Sequence, residues 1–150
     1  MPGASLDFDL SGLTSTLDRL QARLADLTPL MEEIGSSLLT SSQERFESKT
    51  APDGSRWATL AAATIRDRLR RNYSAGDILL RSGSLRNSLN YRPGSDQVIV
   101  SMGGAGNSTA YARAQQMGYE KLKARPVLGL STEDKQSVST IADRFLEESL

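Results

Sequence analysis

Along the N-terminal part of the chain, apolar residues recur at alternating intervals of three and four: Leu10, Leu13, Leu17, Leu20, Leu24, Leu27, Met31, Ile34 and Leu38. That spacing keeps them on one face of an α-helix, while Asp18, Arg19, Arg23 and Asp26 fall on the other side. Asp7 and Asp9, followed by Ser11, suit the positive end of a helix dipole. Thr28-Pro29 interrupts the run, because proline removes a donor but is also a favoured way to begin a new helix. The pattern predicts two helices, or one kinked helix, breaking near Thr28, with the second running from about Pro29 to Lys49. Gly35-Ser36-Ser37 leaves a patch of small residues where another element can approach closely. In a chain of this size such a stripe reads as a core face, and its length keeps a self-association seam in view.

The next signal is the stretch Phe46 to Leu60, which holds the chain's single Trp beside its strongest turn. In Pro52-Asp53-Gly54, proline presets φ, aspartate bonds its own backbone and glycine accepts positive φ. A reversal there brings Phe46, Trp57 and Leu60 into one core, where each aromatic ring buries on the order of 150–250 Å². Asp53 is read as a turn residue and not as a catalytic acid.

Downstream, Ala58 to Asn72 begins apolar and ends basic, with Ile65 and Leu69 one turn apart and Arg66, Arg68, Arg70 and Arg71 close together. The cluster reads first as a solvated helix end complementing the dipole, and second as a contact for phosphates or an acidic protein surface. After the loop Ser74 to Asp77 and the short apolar run Ile78-Leu79-Leu80, Ser82-Gly83-Ser84 is another break. Leu85 to Tyr91 reads as helical and then extended. The turn cluster Arg92 to Asp96 precedes the β-branched run Gln97 to Met102, so the two sides form a hairpin. Gly103 to Asn107 lacks both the Lys-Ser/Thr of a phosphate-binding loop and the spacing of a dinucleotide fingerprint, and reads as a strand-to-helix loop. Thr109 to Met117 is a short helix closed by Gly118, followed by the loop Tyr119 to Arg125 and the extended segment Arg125 to Leu130. Ser131 or Thr132 caps a final helix whose apolar face is Val138, Ile141, Ala142, Phe145 and Leu146. These elements predict a single domain, a helical part over 1–49 and an α+β part with extended loops over 50–150. The fold class is α+β, with a small, mostly antiparallel sheet packed by the N-terminal helices and a C-terminal helix.

Composition removes much of the chemical repertoire. The chain has 150 residues, 38% of them hydrophobic, with 18 basic and 18 acidic side chains, so no net field draws it to nucleic acid or membrane. With no Cys and no His, disulfides, thiolate or imidazole metal sites and His-dependent catalytic triads are excluded. Paired carboxylates, for example Glu44 or Glu47 with Asp53, are what is left for hydrolysis, and these acids are scattered. MPGASLDFDL has no basic and apolar leader pattern, and no run reaches the roughly 18 apolar residues of a membrane span, so the protein is expected to stay where it is made.

The order of these local signals resembles a known family. Phe46, Pro52-Asp53-Gly54 with Trp57, Thr64 with basic residues after it, Ile78-Leu79, Gly83-x-Leu85 with Ser88, and a strand come first. Tyr111-Ala112 with Gln115, Gln116 and Gly118 follows, and then Ala124-Arg125-Pro126 with Leu128-Gly129-Leu130-Ser131. Together they look like the phage virion morphogenesis family, the tail-completion proteins of Mu-like and related tailed phages. The resemblance covers most of the chain from Gly35 onward. Ala114-Gln115-Gln116 stands where a His is expected, and Val127 where an aromatic is commoner.

The resemblance implies a structural, non-catalytic virion protein that needs no cofactor or metal and acts late in assembly. It would complete the tail or the head-tail joint as a homo-oligomeric ring, with a hexamer as the expected size. The implied partners are further copies of itself and other neck or tail proteins, with genomic DNA passing through the ring and no membrane. It is expected in the virion, and in the host cytoplasm during assembly. Rings use heterologous interfaces, which need two different complementary patches on one surface. The candidate assembly surfaces are the basic segment Arg66 to Arg71, the loop Gly103 to Asn107 and the loop Tyr119 to Arg125 with Pro126; the candidate residues are Arg66, Arg68, Arg70 and Arg71, then Gly103 and Gly104, Tyr111 and Gln116, and Arg125 and Pro126. The competing reading is a small DNA-binding module that uses Arg66 to Arg71.

Overall fold

The computed structural model describes residues 9, 11–74, 76, 78, 83–103 and 107–150, excepting the side chains of 107–109. Asp7, Leu10, Asp77, Leu79, Leu80, Ser82 and Gly104, all named above, lie outside the described residues. The elements are α1 (Ser11–Ala25), α2 (Thr28–Ser48), α3 (Ala62–Arg70), α4 (Ser84–Asn87), β1 (Asn90–Pro93), β2 (Val98–Ser101), α5 (Asn107–Met117) and α6 (Thr132–Glu147). This is an α+β fold of helices with a two-stranded antiparallel sheet that lies on α2.

The break between the first two helices has a local cause. The Asp26 carboxylate accepts hydrogen bonds from the Thr28 N–H at 3.0 Å and from the Thr28 hydroxyl, which fixes the start of α2 with Pro29 in its first turn. The Leu27 N–H donates to the Ser95 carbonyl at 2.9 Å and ties this corner to the tip of the hairpin. At the far end, Lys49 adopts a left-handed conformation and returns its N–H to the Arg45 carbonyl at 2.8 Å, closing α2.

From α2 two cores are built. Leu30 and Ile34, with Leu27, Met31 and Leu38 beside them, pack on Phe145, Val138 and Ile141 of α6 and on Val98 of β2. About two turns beyond Leu38, Phe46 enters a second cluster with Ala51, Trp57, Ile78, Leu85, Leu89, Ala112 and Val127, flanked by Leu39, Leu60, Met102 and Leu128. Phe46 and Trp57 meet edge to face, with ring centroids 5.6 Å apart. The Pro52-Gly54 reversal arranges this: Gly54 takes a φ of 86°, Asp53 accepts from the Ser55 N–H at 2.9 Å, and the Trp57 N–H returns to the Lys49 carbonyl at 2.8 Å.

In the hairpin Tyr91 pairs with Val100 and Pro93 with Val98, so these four share the half-buried face while Arg92 and Ile99 turn outward. That face lies on α2 at Gly35, where a Cβ would sit 2.8 Å from Val98 Cγ2 and within contact of the Tyr91 ring. The small-residue patch is thus the seat of the sheet, and of the two N-terminal helices it is α2 that carries the sheet.

One expectation is corrected. The leucine stripe is not a core face along its whole length: no residue of α1 is buried, and Leu13 and Leu17 are each 54% exposed and Leu24 43%. The stripe passes into the core only from Leu27 onward, where α2 meets α6 and the hairpin. Contact of α1 with the body comes through Arg23, whose guanidinium lies 4.4 Å from the centre of the Phe145 ring and donates to the Glu148 carbonyl at 3.3 Å. The segment from Ala58 precedes α3, which begins at Ala62, in keeping with an apolar start followed by a basic helical end.

Candidate assembly surface

The segment 125–130 belongs to no helix or sheet and bends at 128–129, so its polar groups need other partners. Gln116 of α5 supplies them. Its carbonyl oxygen accepts from the Val127 N–H at 2.8 Å and the Leu128 N–H at 2.9 Å, while its amide donates to the Leu128 carbonyl at 2.9 Å. The Pro126 carbonyl accepts from Trp57 Nε1 at 2.8 Å. Val127, held between these clamps, is fully buried against the Trp57 cluster. Arg125, itself buried, donates through Nε to the Ala58 carbonyl at 2.9 Å and through Nη2 to the Thr59 carbonyl at 3.0 Å. Of the candidates for assembly, Gln116, Arg125 and Pro126 therefore bond within the chain, and together they hold the 58–61 and 125–128 segments in place.

What these staples position is a cleft of about 680 Å³ between the 58–61 segment, α3, α5 and the 121–125 loop. Arg68, Arg125, Lys121 and Lys123 line it, with Asp67 as the acid among its lining residues. Arg68 is buried and donates to the Ser74 carbonyl at 3.3 Å. Burial, with the Arg68 charge adding to it and Tyr111 opposing, pulls the Arg125 guanidinium below its usual range. Asp67 is engaged elsewhere: its carboxylate takes Arg70 at 2.6 Å and Arg71 at 3.2 Å, Arg70 being the main reason that its pKa is lowered.

The lysines are presented by a tight loop. Gly118 and Glu120 adopt positive φ, and Tyr119 and Leu122 exchange both backbone hydrogen bonds, at 3.1 and 2.8 Å. A Cβ on Gly118 would stand 3.0 Å from the Leu122 carbonyl oxygen, so the turn requires glycine. Exposed Tyr111 closes one wall of the cleft. Gln115, only 5% exposed, also lines it, and its Oε1 has no hydrogen-bond donor among the described residues.

Arg66, Arg70 and Arg71 are exposed, as a solvated helix end would be, and Arg70 and Arg71 bond Asp67; Arg68 departs from that reading, being buried at the cleft. Gly103, at a φ of 100°, donates its N–H to Ser88 Oγ at 2.8 Å. Phe46 and Trp57 are buried in the core, and Leu60 is half-buried against it.

Sequence reasoning missed a buried ion pair. Arg45 of α2 meets Asp134 of α6, and both side chains are almost wholly buried. Arg45 also donates to the Val127 carbonyl at 2.6 Å. Asp134 completes a capping box with Ser131, accepting the Ser131 N–H at 2.9 Å while the Ser131 hydroxyl accepts the Asp134 N–H at 3.0 Å. One carboxylate therefore caps α6 and anchors it to α2. Burial works to raise its pKa, but hydrogen bonds from Ser41 and Ser131 and the Arg45 charge outweigh it and hold the group below the ordinary value of 3.8. The available signal was position: Arg45 directly precedes Phe46 and lies three residues after Ser42, on the inward side of α2.

The carboxylates weighed for hydrolysis do not form a working pair. Glu47 lies 3.5 Å from Arg86, whereas Glu44 and Asp53 share an exposed hollow. The Ser55 hydroxyl and N–H hold the Asp53 carboxyl below the usual range, the opposite of what a general acid needs near neutral pH. Among the described residues no helix is long and apolar enough to cross a membrane.

No curated protein and no solved structure gives a significant match to the chain. A family model does: that of the phage virion morphogenesis family matches residues 8–147, a span that takes in both cores, the cleft and α6. The chain therefore belongs to the phage virion morphogenesis family, and its role is that of a bacteriophage structural and assembly protein.

Proposed function

We propose that the protein completes the tail or the head-tail joint by forming a closed ring of identical copies, in contact with other neck or tail proteins. The observation that carries this reading is α1. A helix of 15 residues with nothing buried is marginal in water by itself, yet this one presents Leu13, Leu17 and Leu24 in regular register. Such a surface is stable when a neighbouring molecule covers it. Family membership supplies the setting, and the cationic cleft is a further patch, whose complement a heterologous interface would need elsewhere on the same molecule.

The competing reading, DNA binding through Arg66 to Arg71, has less support. Two of those guanidiniums share the Asp67 carboxylate, which offsets part of their charge, and a third is buried. The test is genetic and visual. In the phage that encodes the chain, its deletion should leave heads and tails that electron microscopy finds unjoined or incomplete. Normal, infectious virions without it would contradict the proposal.

A further inference from the structure

We infer that the cleft lined by Arg68, Arg125, Lys121 and Lys123 receives the acidic edge around Asp53 and Glu133 of a second copy of this chain. The inference rests on the ring-forming reading above and gives that ring its interface. Three observations lead to it. First, the cleft has surplus positive charge: exposed Lys121 and Lys123 line it together with Arg125, whose side-chain bonds run to neutral carbonyls, and Asp67 is neutralised by Arg70 and Arg71. Second, its floor contains a buried acceptor, Gln115 Oε1, that no described donor satisfies. A bare phosphate backbone offers acceptors alone and leaves Oε1 unsatisfied, whereas a protein edge brings carboxylates for the cations together with N–H or O–H donors for the glutamine.

Third, the complementary surface exists on the same molecule. Glu44, Asp53 and Glu133 border a hollow between the Pro52-Gly54 turn and the start of α6, and the basic residues there are Lys135 and Arg45, the latter committed to Asp134. Exposed Thr132 places a hydroxyl donor beside Glu133. Hydrogen bonds from Ser55 keep the Asp53 carboxylate ionised and fixed at the tip of its turn. The hollow and the cleft share no lining residue, so a contact between them joins unlike patches on successive copies. That is the geometry that closes into a ring by rotation.

The test uses the full chain in size exclusion with light scattering over a concentration series, with circular dichroism to check folding. Lys121→Glu with Lys123→Glu reverses the cleft, and Glu44→Lys with Glu133→Lys reverses the edge; all four positions are exposed and tolerate the change. Each pair should raise the concentration at which the oligomer half-forms at least tenfold. A one-to-one mixture of the two reversed proteins, in which each cleft meets an edge of opposite sign, should restore assembly. If wild type and both variants assemble alike, the cleft is not the interface and the ring reading survives without it. If the wild type stays monomeric throughout, self-association and this pairing both fail. A short DNA duplex that binds the wild type and is lost on reversing the cleft, with the mass unchanged, would assign the cleft to nucleic acid and overturn the inference.

Discussion

Trp57 carries the most testable packing claim. Its ring is 4% exposed, meets Phe46 edge to face at 5.6 Å and donates Nε1–H to the Pro126 carbonyl at 2.8 Å, so it joins α2 to the 125–128 segment. Trp57→Ala removes the ring's buried apolar area and leaves a cavity bounded by Phe46 and Val127. Large-to-small changes of this kind cost about 3–5 kcal/mol. Trp57→Phe keeps an aromatic edge for Phe46 and loses the hydrogen bond, which amounts to about 1–2 kcal/mol when the carbonyl is left partly buried. With a urea slope of about 2 kcal/mol/M, the midpoint should fall by about 2 M for the alanine variant and by less than 1 M for phenylalanine. Far-UV circular dichroism is the readout, since the mutation removes the only Trp. If alanine shifts the midpoint by no more than phenylalanine does, the ring is not what holds the second core together.

The remaining predictions concern the other joints of the fold. Asp134→Asn should destabilise the protein by about 3 kcal/mol at pH 7, because it leaves a buried guanidinium without its counter-charge. Since the folded-state pKa of Asp134 is lowered, its contribution is complete above the ordinary value of 3.8 and is lost as pH falls through and below it. The wild type should therefore lose stability on acidification below about pH 4–5 more steeply than Asp134→Asn; parallel pH profiles would refute the assignment. Gly35→Val should lower the melting temperature, because its Cβ meets Tyr91 and Val98, with an overpacking penalty of about 1–3 kcal/mol. A rise in the melting temperature would mean the hairpin does not seat there. Gln116→Leu should loosen the 126–128 segment, seen as faster amide exchange at Val127 and Leu128, whose N–H groups lose their acceptor; unchanged exchange would leave those amides with another partner.

Elements specified by neighbouring residues were legible from the sequence. The Ser131 cap with acids behind it, the Pro-Gly turn between alternating residues and the Pro52-Gly54 reversal each complete their hydrogen bonds within a few positions, and each is present. Gly35 was legible as a place of close approach, though not as the seat of the hairpin. The leucine stripe shows where such reading stops. Its period defines a face of a helix but says nothing about what covers it, and the same 3-4 spacing is exposed in α1 and buried in α2. Long-range polar contacts were out of reach for a related reason. Arg45 finds Asp134 across 89 positions and Arg125 finds Ala58 across 67, and in both cases a residue type common on surfaces is drawn inward by partners that no local pattern reveals. For the same reason Arg125, Pro126 and Gln116 read as candidates for assembly when their side chains or carbonyls serve the interior; the Tyr119 to Arg125 loop, which carries Lys121 and Lys123, was legible as a candidate surface, while Gln115 at the cleft was passed over.

The most direct test of the assembly account is the molar mass of the purified chain, by light scattering after size exclusion, from micromolar to near-millimolar concentration. The account predicts one discrete species, at a fixed multiple of the 16.3 kDa protomer, whose population grows with concentration and does not depend on added DNA. A mass of one protomer at every concentration would contradict it, and so would a ladder of ever larger species, the mark of head-to-tail contacts that do not close.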